Sequence, residues 1–285
     1  MTSINGTEFD RTTESLAIPP KTIEDYERDG IVCLRETFDM SWVQELRDLA
    51  DEMLTAENRH PVQSQDLSKD GDPGRFFNEM FIWQRHDGFK RLVFDSPMAA
   101  VAGTVMSAGK VNVLFDQLMI KEPGTSEPTP WHHDLPFWPF QGAKICTLWL
   151  ALDEVTADSG AVEYIKGSHR WGKRYQPTSF VGDGRYQQKE LEPLPDLEAM
   201  REDLDIVQFD MAPGDCTLHH GLTLHAAPGN QSTDQRRRAY VTRWGGDEVT
   251  YEPRDGTQPM LCDPCLMAGD LVKCDLWPVV WQRAK

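Results

Sequence analysis

The residues of this chain most able to do chemistry lie in the stretch TPWHHD, residues 129–134. His132 and Asp134 are two positions apart, and residues two apart on a strand face the same side. They can therefore hold one metal ion together, while His133 faces away. Imidazole plus carboxylate is a donor set that suits iron(II), whose facial triad of two histidines and one carboxylate leaves coordination positions open. On spacing alone, a hydrogen-bonded polar pair is the simpler interpretation.

A facial triad needs a third ligand from elsewhere in the chain. The other histidines are all candidates: His60, His86, His169, His219, His220 and His225. His225 lies in a strand-like segment that ends in a Pro-Gly-Asn turn, and the next segment opens with an arginine run at 236–238. An arginine there can bind the far carboxylate of an iron-chelating 2-oxo acid, because a guanidinium donates in a bidentate fork. A solvated basic face is the alternative for these arginines.

The elements that must position these residues change character near residue 110. Before it, apolar spacing predicts helices over 20–29, 41–59, 76–94 and 97–106, and a polar loop over 61–75. After it, short β-prone segments separated by turn residues predict an all-β barrel or sandwich. We therefore predict a mainly β protein, with an N-terminal helical shell on a C-terminal β core. One domain over residues 1–285 is expected, with residues 1–18 as a flexible tail.

Composition and charge narrow the class of protein. The chain has 285 residues, 39% of them hydrophobic, which is enough for a real core. Its formal net charge of −17 argues against nucleic acid or an anionic membrane as a partner, because both attract cationic patches. The chain has no long apolar run and its N-terminus does not resemble a signal peptide, so we expect a cytoplasmic protein. Cys262, Cys265 and Cys274 are expected to be ordinary reduced thiols, since a structural zinc usually has four ligands.

Several segments together resemble the phytanoyl-CoA dioxygenase family. The resemblance spans most of the chain and rests on YERDGIVCLRETF (26–38), WHHD (131–134), SGAVEYIKGSHRWG (159–172) and PGDCTLHHGLTLHAAPGNQS (213–232). It implies a double-stranded β-helix, a jelly-roll or cupin-like core that uses Fe(II), 2-oxoglutarate and O2. It also implies that His132, Asp134 and His225 are the metal ligands and the catalytic centre.

The resemblance further implies an arginine that binds 2-oxoglutarate after the distal histidine. The family's usual spacing points to Arg236, whereas strand parity favours Arg237, which shares a face with the small apolar residues Ala239 and Val241. We predict Arg237, with Arg236 as the alternative. Further contacts with the co-substrate are expected from three residues on inner strands: Thr147, Trp149 and Gln117.

The predicted function follows from the same resemblance. It is a Fe(II)- and 2-oxoglutarate-dependent dioxygenase that hydroxylates an unactivated C–H bond of a small-molecule metabolite, with release of succinate and CO2. Halogenation is not expected, because Asp134 retains the carboxylate that halogenating relatives lack. The alternatives are desaturation or rearrangement of a natural product by the same iron(IV)-oxo chemistry, a non-catalytic metal-binding β-barrel protein, and a zinc or manganese cupin without 2-oxoglutarate.

Aromatic residues are the candidates for substrate binding. Phe137, Trp138 and Phe140 follow the metal motif directly, so we expect them at the mouth of the site, with Phe81 and Trp83 covering it from the helical shell. Apolar walls with few polar groups are typical of small-molecule pockets, although packing explains the same aromatics. The expected partner is a small molecule, with neither nucleic acid nor membrane involved, and the protein is expected to be a monomer or homodimer.

Overall fold

Helices dominate the first part of the chain. The computed structural model describes residues 18–57, 59–177, 180 and 186–284. Its N-terminal elements are α1 (Pro20–Asp29), β1 (Ile31–Leu34), α2 (Met40–Thr55), β2 (Ser64–Asp66), β3 (Phe76–Met80), α3 (Asp87–Asp95) and α4 (Met98–Val105). The first 17 residues of the predicted tail lie outside the described residues. No helix in the described ranges is long and apolar enough to cross a bilayer.

Strands dominate the rest of the chain, and the predicted change of character near residue 110 is confirmed. The strands are β4 (Lys110–Lys121), β5 (Thr129–His132), β6 (Phe140–Gln141), β7 (Ile145–Ala151), β8 (Glu163–Ile165), β9 (Ile206–Gln208), β10 (Cys216–His220), β11 (His225–Ala227), β12 (Arg237–Gly245), β13 (Thr250–Tyr251) and β14 (Val279–Gln282). Short 3₁₀ turns lie at Leu135–Phe137, Ser168–Arg170 and Arg201–Asp203.

The strands form two main antiparallel sheets. The larger has the order β1-β10-β7-β12-β4-β3-β2, with β14 also paired to β4, and the smaller has the order β5-β11-β8-β9. A separate pair joins β13 to β6. Two antiparallel sheets connected in this crossed order are the architecture of a jelly roll, so the predicted double-stranded β-helix core is confirmed.

The alternation of side chains along β12 shows where the two apolar cores lie. Tyr240 packs in the cluster that joins the outer face of the large sheet to α2, α3 and α4. Ala239 and Val241 point the other way, into a second cluster that contains Tyr164 from the small sheet. β12 therefore has two buried faces, which explains why nearly all of its residues are buried.

Helix α2 shows how the helical shell is held on the sheet. Val43, Leu46 and Ala50 are fully buried and recur on one side of the helix, as expected of an amphipathic helix. Burial of a side chain such as Leu46 stabilises the fold by about 1.5–3 kcal/mol. The predicted N-terminal helical shell is thus present, and it covers the outer face of the sheet rather than its interior.

The predicted helix over 76–94 is wrong in its first part. Residues Phe76–Met80 form β3, which pairs with β4, and the helix begins only at Asp87. All residues of β3 are buried, so a strand that completes the hydrogen bonds of β4 overrides the local helical spacing. After the strand, Phe81 has a left-handed backbone (φ +53°), and the Asp116 carboxylate accepts from the N–H groups of Ile82 and Trp83 at 2.7 and 3.0 Å.

Candidate metal centre and its cavity

His132, Asp134 and His225 form one buried group between the two sheets. Their ligand atoms lie within 4.8 Å of one another. Nε2 of His132 is 3.7 Å from Oδ1 of Asp134, and Nε2 of His225 is 3.9 Å from the same oxygen. In the described part of the chain, this is the single cluster of three or more such side chains with a geometry suited to a metal ion.

Two different local structures bring the group together. His225 on β11 is the direct partner of His132 on β5, so the pairing of these strands places the two imidazoles side by side. The prediction treated His132 and Asp134 as neighbours on one strand, but β5 ends at His132 and Asp134 has a helical backbone before the 3₁₀ turn. His133 faces away, where its Nε2 accepts from the backbone N–H of Tyr175 at 2.8 Å.

The two histidines are held in the tautomer that a metal requires. Nδ1 of His132 lies 2.7 Å from the carbonyl oxygen of Pro130, and Nδ1 of His225 lies 2.9 Å from that of Thr223. A carbonyl can only accept, so each Nδ1 carries the proton and each Nε2 keeps its lone pair. Burial lowers the pKa of both histidines to about 3, which keeps them neutral near pH 7. The donor set therefore fits a divalent metal such as iron(II).

The two oxygens of Asp134 have different partners. Oδ2 accepts a hydrogen bond from the Thr147 hydroxyl at 2.6 Å and lies 3.3 Å from Nε2 of His219. Oδ1 faces His132 and His225. Burial alone would raise the pKa of Asp134, but the hydrogen bond from His219 and the positive charge of Arg243 hold it well below the ordinary value. The carboxylate is thus ionised, oriented and left with one oxygen for a metal.

A cavity of about 980 Å³, counted with its open mouth, extends from this group between the sheets. Gln117, Thr147, Trp149 and Arg237, which the sequence predicts as co-substrate contacts, all line it. Arg237 is 2% exposed, and its Nε has no hydrogen-bond partner. Burial lowers the pKa of Arg237 to about 10, so it stays charged at neutral pH.

Arg237 has the properties needed to bind the far carboxylate of 2-oxoglutarate. Its guanidinium lies 5.5 Å from the centre of the Trp149 ring, and no carboxylate of the described residues pairs with it. The alternative, Arg236, points out of the barrel and pairs with Asp51 and Glu122, each at 2.9 Å. The structure therefore does not bring Arg236 to the site.

The aromatic residues predicted to bind substrate divide into two groups. Phe137 and Trp138 line the cavity, together with Phe180 and Tyr186, which the sequence did not suggest. The others pack elsewhere, each against another aromatic ring: Phe140 on Trp277, Phe81 on Phe115 and Trp83 on Phe94. The 3₁₀ turn at Leu135–Phe137 redirects the chain after the metal motif, so Phe140 packs in the same core cluster as Phe137 and Trp138 without lining the cavity.

Two further residues lie at the site although the sequence did not assign them to it. His219, named from the sequence only as one of six candidates for the third ligand, lies beside Asp134. Arg243 lines the cavity but was not proposed at all. The signal was present, because Arg243 has the same strand parity as Arg237. The cysteines show no metal cluster within the described part of the chain, and Cys262, Cys265 and Cys274 are free thiols.

Fold and site together define a class of protein: a double-stranded β-helix that holds a buried two-histidine, one-carboxylate group with open space beside it. The chain belongs to the phytanoyl-CoA dioxygenase family, because the family model described as Phytanoyl-CoA dioxygenase (PhyH) matches residues 26–239. The predicted family is therefore confirmed.

Individual relatives agree with this assignment. Over 41% of its length the chain is 33% identical to a probable alpha-ketoglutarate-dependent hypophosphite dioxygenase of Stutzerimonas stutzeri, and the match spans 39% of that relative. Over 84% of its length it is 23% identical to a phytanoyl-CoA dioxygenase domain-containing protein 1 homolog of Caenorhabditis briggsae, of which 97% is covered.

Among solved structures, the chain is similar in fold to the epimerase SnoN in complex with Fe3+, alpha ketoglutarate and nogalamycin RO. The TM-score is 0.70 and the identity 22%, over 92% of this chain and 98% of that one. The names of this structure and of the Stutzerimonas stutzeri relative mention iron or alpha-ketoglutarate, which are the cofactors that the sequence predicts.

Proposed function

We propose that the chain is a Fe(II)- and 2-oxoglutarate-dependent dioxygenase that oxidises a C–H bond of a small molecule, with hydroxylation as the outcome. One observation carries the proposal: a neutral, tautomer-fixed pair of histidines and an ionised carboxylate share a cavity with Arg237, a buried cation that lacks an anionic partner. A divalent metal such as iron(II) accounts for the first part, and the unpaired guanidinium calls for a carboxylate such as the far one of 2-oxoglutarate.

The residues of the chain have distinct parts in this activity. His132, Asp134 and His225 would hold the metal, and Arg237 would bind the far carboxylate of 2-oxoglutarate, beside Trp149. Bound iron with 2-oxoglutarate and O2 supplies the oxidising chemistry, with succinate and CO2 as co-products. The buried position of the group restricts water near the reaction, and the open mouth admits the substrate.

The outcome of the oxidation depends on where the substrate's C–H bond lies and on whether the substrate then gains oxygen or loses a second hydrogen. The relatives' names include a hypophosphite dioxygenase and an epimerase, so the family assignment alone does not select hydroxylation. Asp134 argues against halogenation, since its carboxylate occupies the position that a halide would need, but it does not separate hydroxylation from desaturation or rearrangement. Substrate panels read by mass spectrometry for a gain of one oxygen test this outcome, and a product that has lost hydrogen would favour desaturation.

The activity itself is tested by adding Fe(II) and 2-oxoglutarate to the metal-free protein under anaerobic conditions. We expect a visible charge-transfer band that is absent in His132→Ala and retained in His133→Gln, because His133 faces away from the group. Arg237→Gln should weaken 2-oxoglutarate binding by about tenfold or more, whereas Arg236→Gln on the outer face should not. Circular dichroism checks that each variant is folded.

Admission of air separates an enzyme from a binding protein. We expect succinate to form from 2-oxoglutarate, slowly without substrate and faster with it. A band without succinate would indicate a non-catalytic metal-binding protein. Metal binding without any effect of 2-oxoglutarate would contradict the proposed function and favour a cupin that works without this co-substrate.

A further inference from the structure

A second buried arginine, Arg243, lines the cavity from the same face of β12 as Arg237. It is 7% exposed, and neither its Nε nor its Nη1 has a hydrogen-bond partner. Its guanidinium carbon lies 4.7 Å from the centre of the Phe115 ring and 5.9 Å from that of Trp138. The aromatic rings lie close to the guanidinium but accept no hydrogen bond from Nε or Nη1. Buried charges are normally paired, so an anionic ligand is missing.

The nearest acidic groups do not supply that pairing. Asp134 and Asp116 influence Arg243 electrostatically, but neither forms an ion pair with it among the residues that the structure describes. Asp134 is committed to the metal group. Asp116 points to the opposite face of the sheet, where it accepts from two backbone N–H groups and from the Tyr240 hydroxyl at 2.8 Å. The Arg243 guanidinium therefore has no counterion among the residues that the structure describes.

The position of Arg243 separates it from the expected 2-oxoglutarate anchor. It is six residues from Arg237 along β12, so the two Cα atoms are about 20 Å apart. Arg243 is the cross-strand partner of Thr147, whose hydroxyl contacts Asp134, and it thus lies at the metal end of the cavity. Iron(II) and the two arginines would together carry four positive charges, whereas Asp134 and a dianionic co-substrate would carry three negative charges. One positive charge is then left without a counterion.

We propose that the molecule oxidised at this site carries an oxyanion, a carboxylate or a phosphonate, which the guanidinium of Arg243 binds in the cavity that it lines. The apolar body of the molecule would lie against Phe137 and Trp138 in the same cavity wall. The inference rests on the proposed function, since it names the class of substrate for that site. Arg243 would then select the substrate and fix its orientation relative to the metal.

The test measures binding of anions beside matched neutral molecules. Phenylacetate, cyclohexanecarboxylate and benzylphosphonate are titrated calorimetrically against phenylacetamide, cyclohexanecarboxamide and dimethyl benzylphosphonate. Each titration uses the anaerobic complex with Fe(II) and 2-oxoglutarate, and is repeated on the metal-free protein. We expect at least one anion to bind about tenfold or more tightly than its neutral counterpart. Comparison of the carboxylates with the phosphonate shows which oxyanion fits better.

Variants assign the preference to one side chain. Arg243→Gln should lose the preference for the anion, and Arg243→Lys should keep part of it. The affinity of Arg243→Gln for 2-oxoglutarate should stay within about threefold of wild type, because the two anchors are distant. Equal binding of anions and neutral molecules by the wild type, or an unchanged preference in Arg243→Gln, overturns the proposal. So does loss of 2-oxoglutarate binding in Arg243→Gln, which would make Arg243 the co-substrate anchor.

Failure of the proposed function gives a different result. In that case the wild type does not bind 2-oxoglutarate, while the metal-free titrations still report whether Arg243 prefers an anion.

Discussion

At the scale of single residues, the site is set by the partners that surround each metal-binding atom. Carbonyl oxygens hold the Nδ1 protons of His132 and His225, and Thr147 with His219 occupies Oδ2 of Asp134. These contacts orient the free atoms before a metal arrives. Because the protein orders the ligands during folding, less ordering is left for the binding step.

Replacement of Thr147 tests this orientation. Thr147→Val removes the hydrogen bond to Asp134 with little change of shape, and we expect iron(II) affinity to fall by about 10- to 100-fold. Thr217→Val is the matched control, since Thr217 is equally buried but contacts Tyr164 rather than a metal ligand. Competition with a chromophoric chelator measures both affinities. Equal affinities of Thr147→Val and wild type would show that Thr147 does not orient the carboxylate.

At the scale of elements, the connection from α1 to β1 supports the distal histidine. Gly30 ends α1 in a left-handed conformation (φ +73°), and its carbonyl oxygen accepts from the Thr223 hydroxyl at 2.7 Å. The carbonyl oxygen of Thr223 in turn lies 2.9 Å from Nδ1 of His225. An added Cβ at Gly30 would come within 2.2 Å of Nδ1 of His169. This tight junction thus joins the helical shell to the metal group.

Substitution of Gly30 should therefore lower the stability of the fold by more than the backbone strain alone. A left-handed alanine costs about 1–2 kcal/mol, and the clash with His169 adds to it, so we expect Gly30→Ala to lose about 3 kcal/mol of stability. Gly172→Ala is the control, because Gly172 has a similar φ of +68° but nothing within 4 Å of an added Cβ. Urea unfolding measures both variants. Equal losses would mean that the junction is not tightly packed.

At the scale of the whole molecule, the fold buries several neutral histidines. Burial lowers the pKa of His133 and His220 to about 4, and of His132 and His225 to about 3. The unfolded chain binds their protons near pH 6.5, so the stability they contribute is present above that pH and is lost as the pH falls. Asp116 acts in the opposite sense, since burial raises its pKa to about 6, and it destabilises the fold as the pH rises through that value.

The pH dependence is tested at His133, which faces away from the candidate metal group. Between pH 7.5 and 5.5 we expect the metal-free protein to lose stability, with His133 responsible for about 1 kcal/mol of the loss. In His133→Gln the side-chain oxygen can still accept from Tyr175, but it does not titrate, so the loss should shrink by that amount. Urea midpoints at the two pH values provide the measurement. An unchanged loss would indicate that His133 is already protonated in the fold.

The alternation of side chains along β12 determines which of its arginines reach the cavity. Of three consecutive arginines, Arg237 enters the cavity, while Arg236 and Arg238 pair with acidic residues on the outer face. Parity alone predicted this inner position, and the same rule applied further along the strand would have suggested Arg243. The alternation is a local property of extended backbone, so it can be read from sequence once the strand is identified.

The sequence by itself determined the family and the boundary between helical and β regions near residue 110, and its spacing paired His132 with Asp134. Spacing left the third candidate ligand open among six histidines, and the family resemblance selected His225. Tertiary structure alone decided that residues 76–80 pair as a strand, that β5 ends before Asp134, and that Phe140, Phe81 and Trp83 pack away from the cavity. The physical reason is that strand pairing and burial involve partners distant in sequence, which local patterns do not specify.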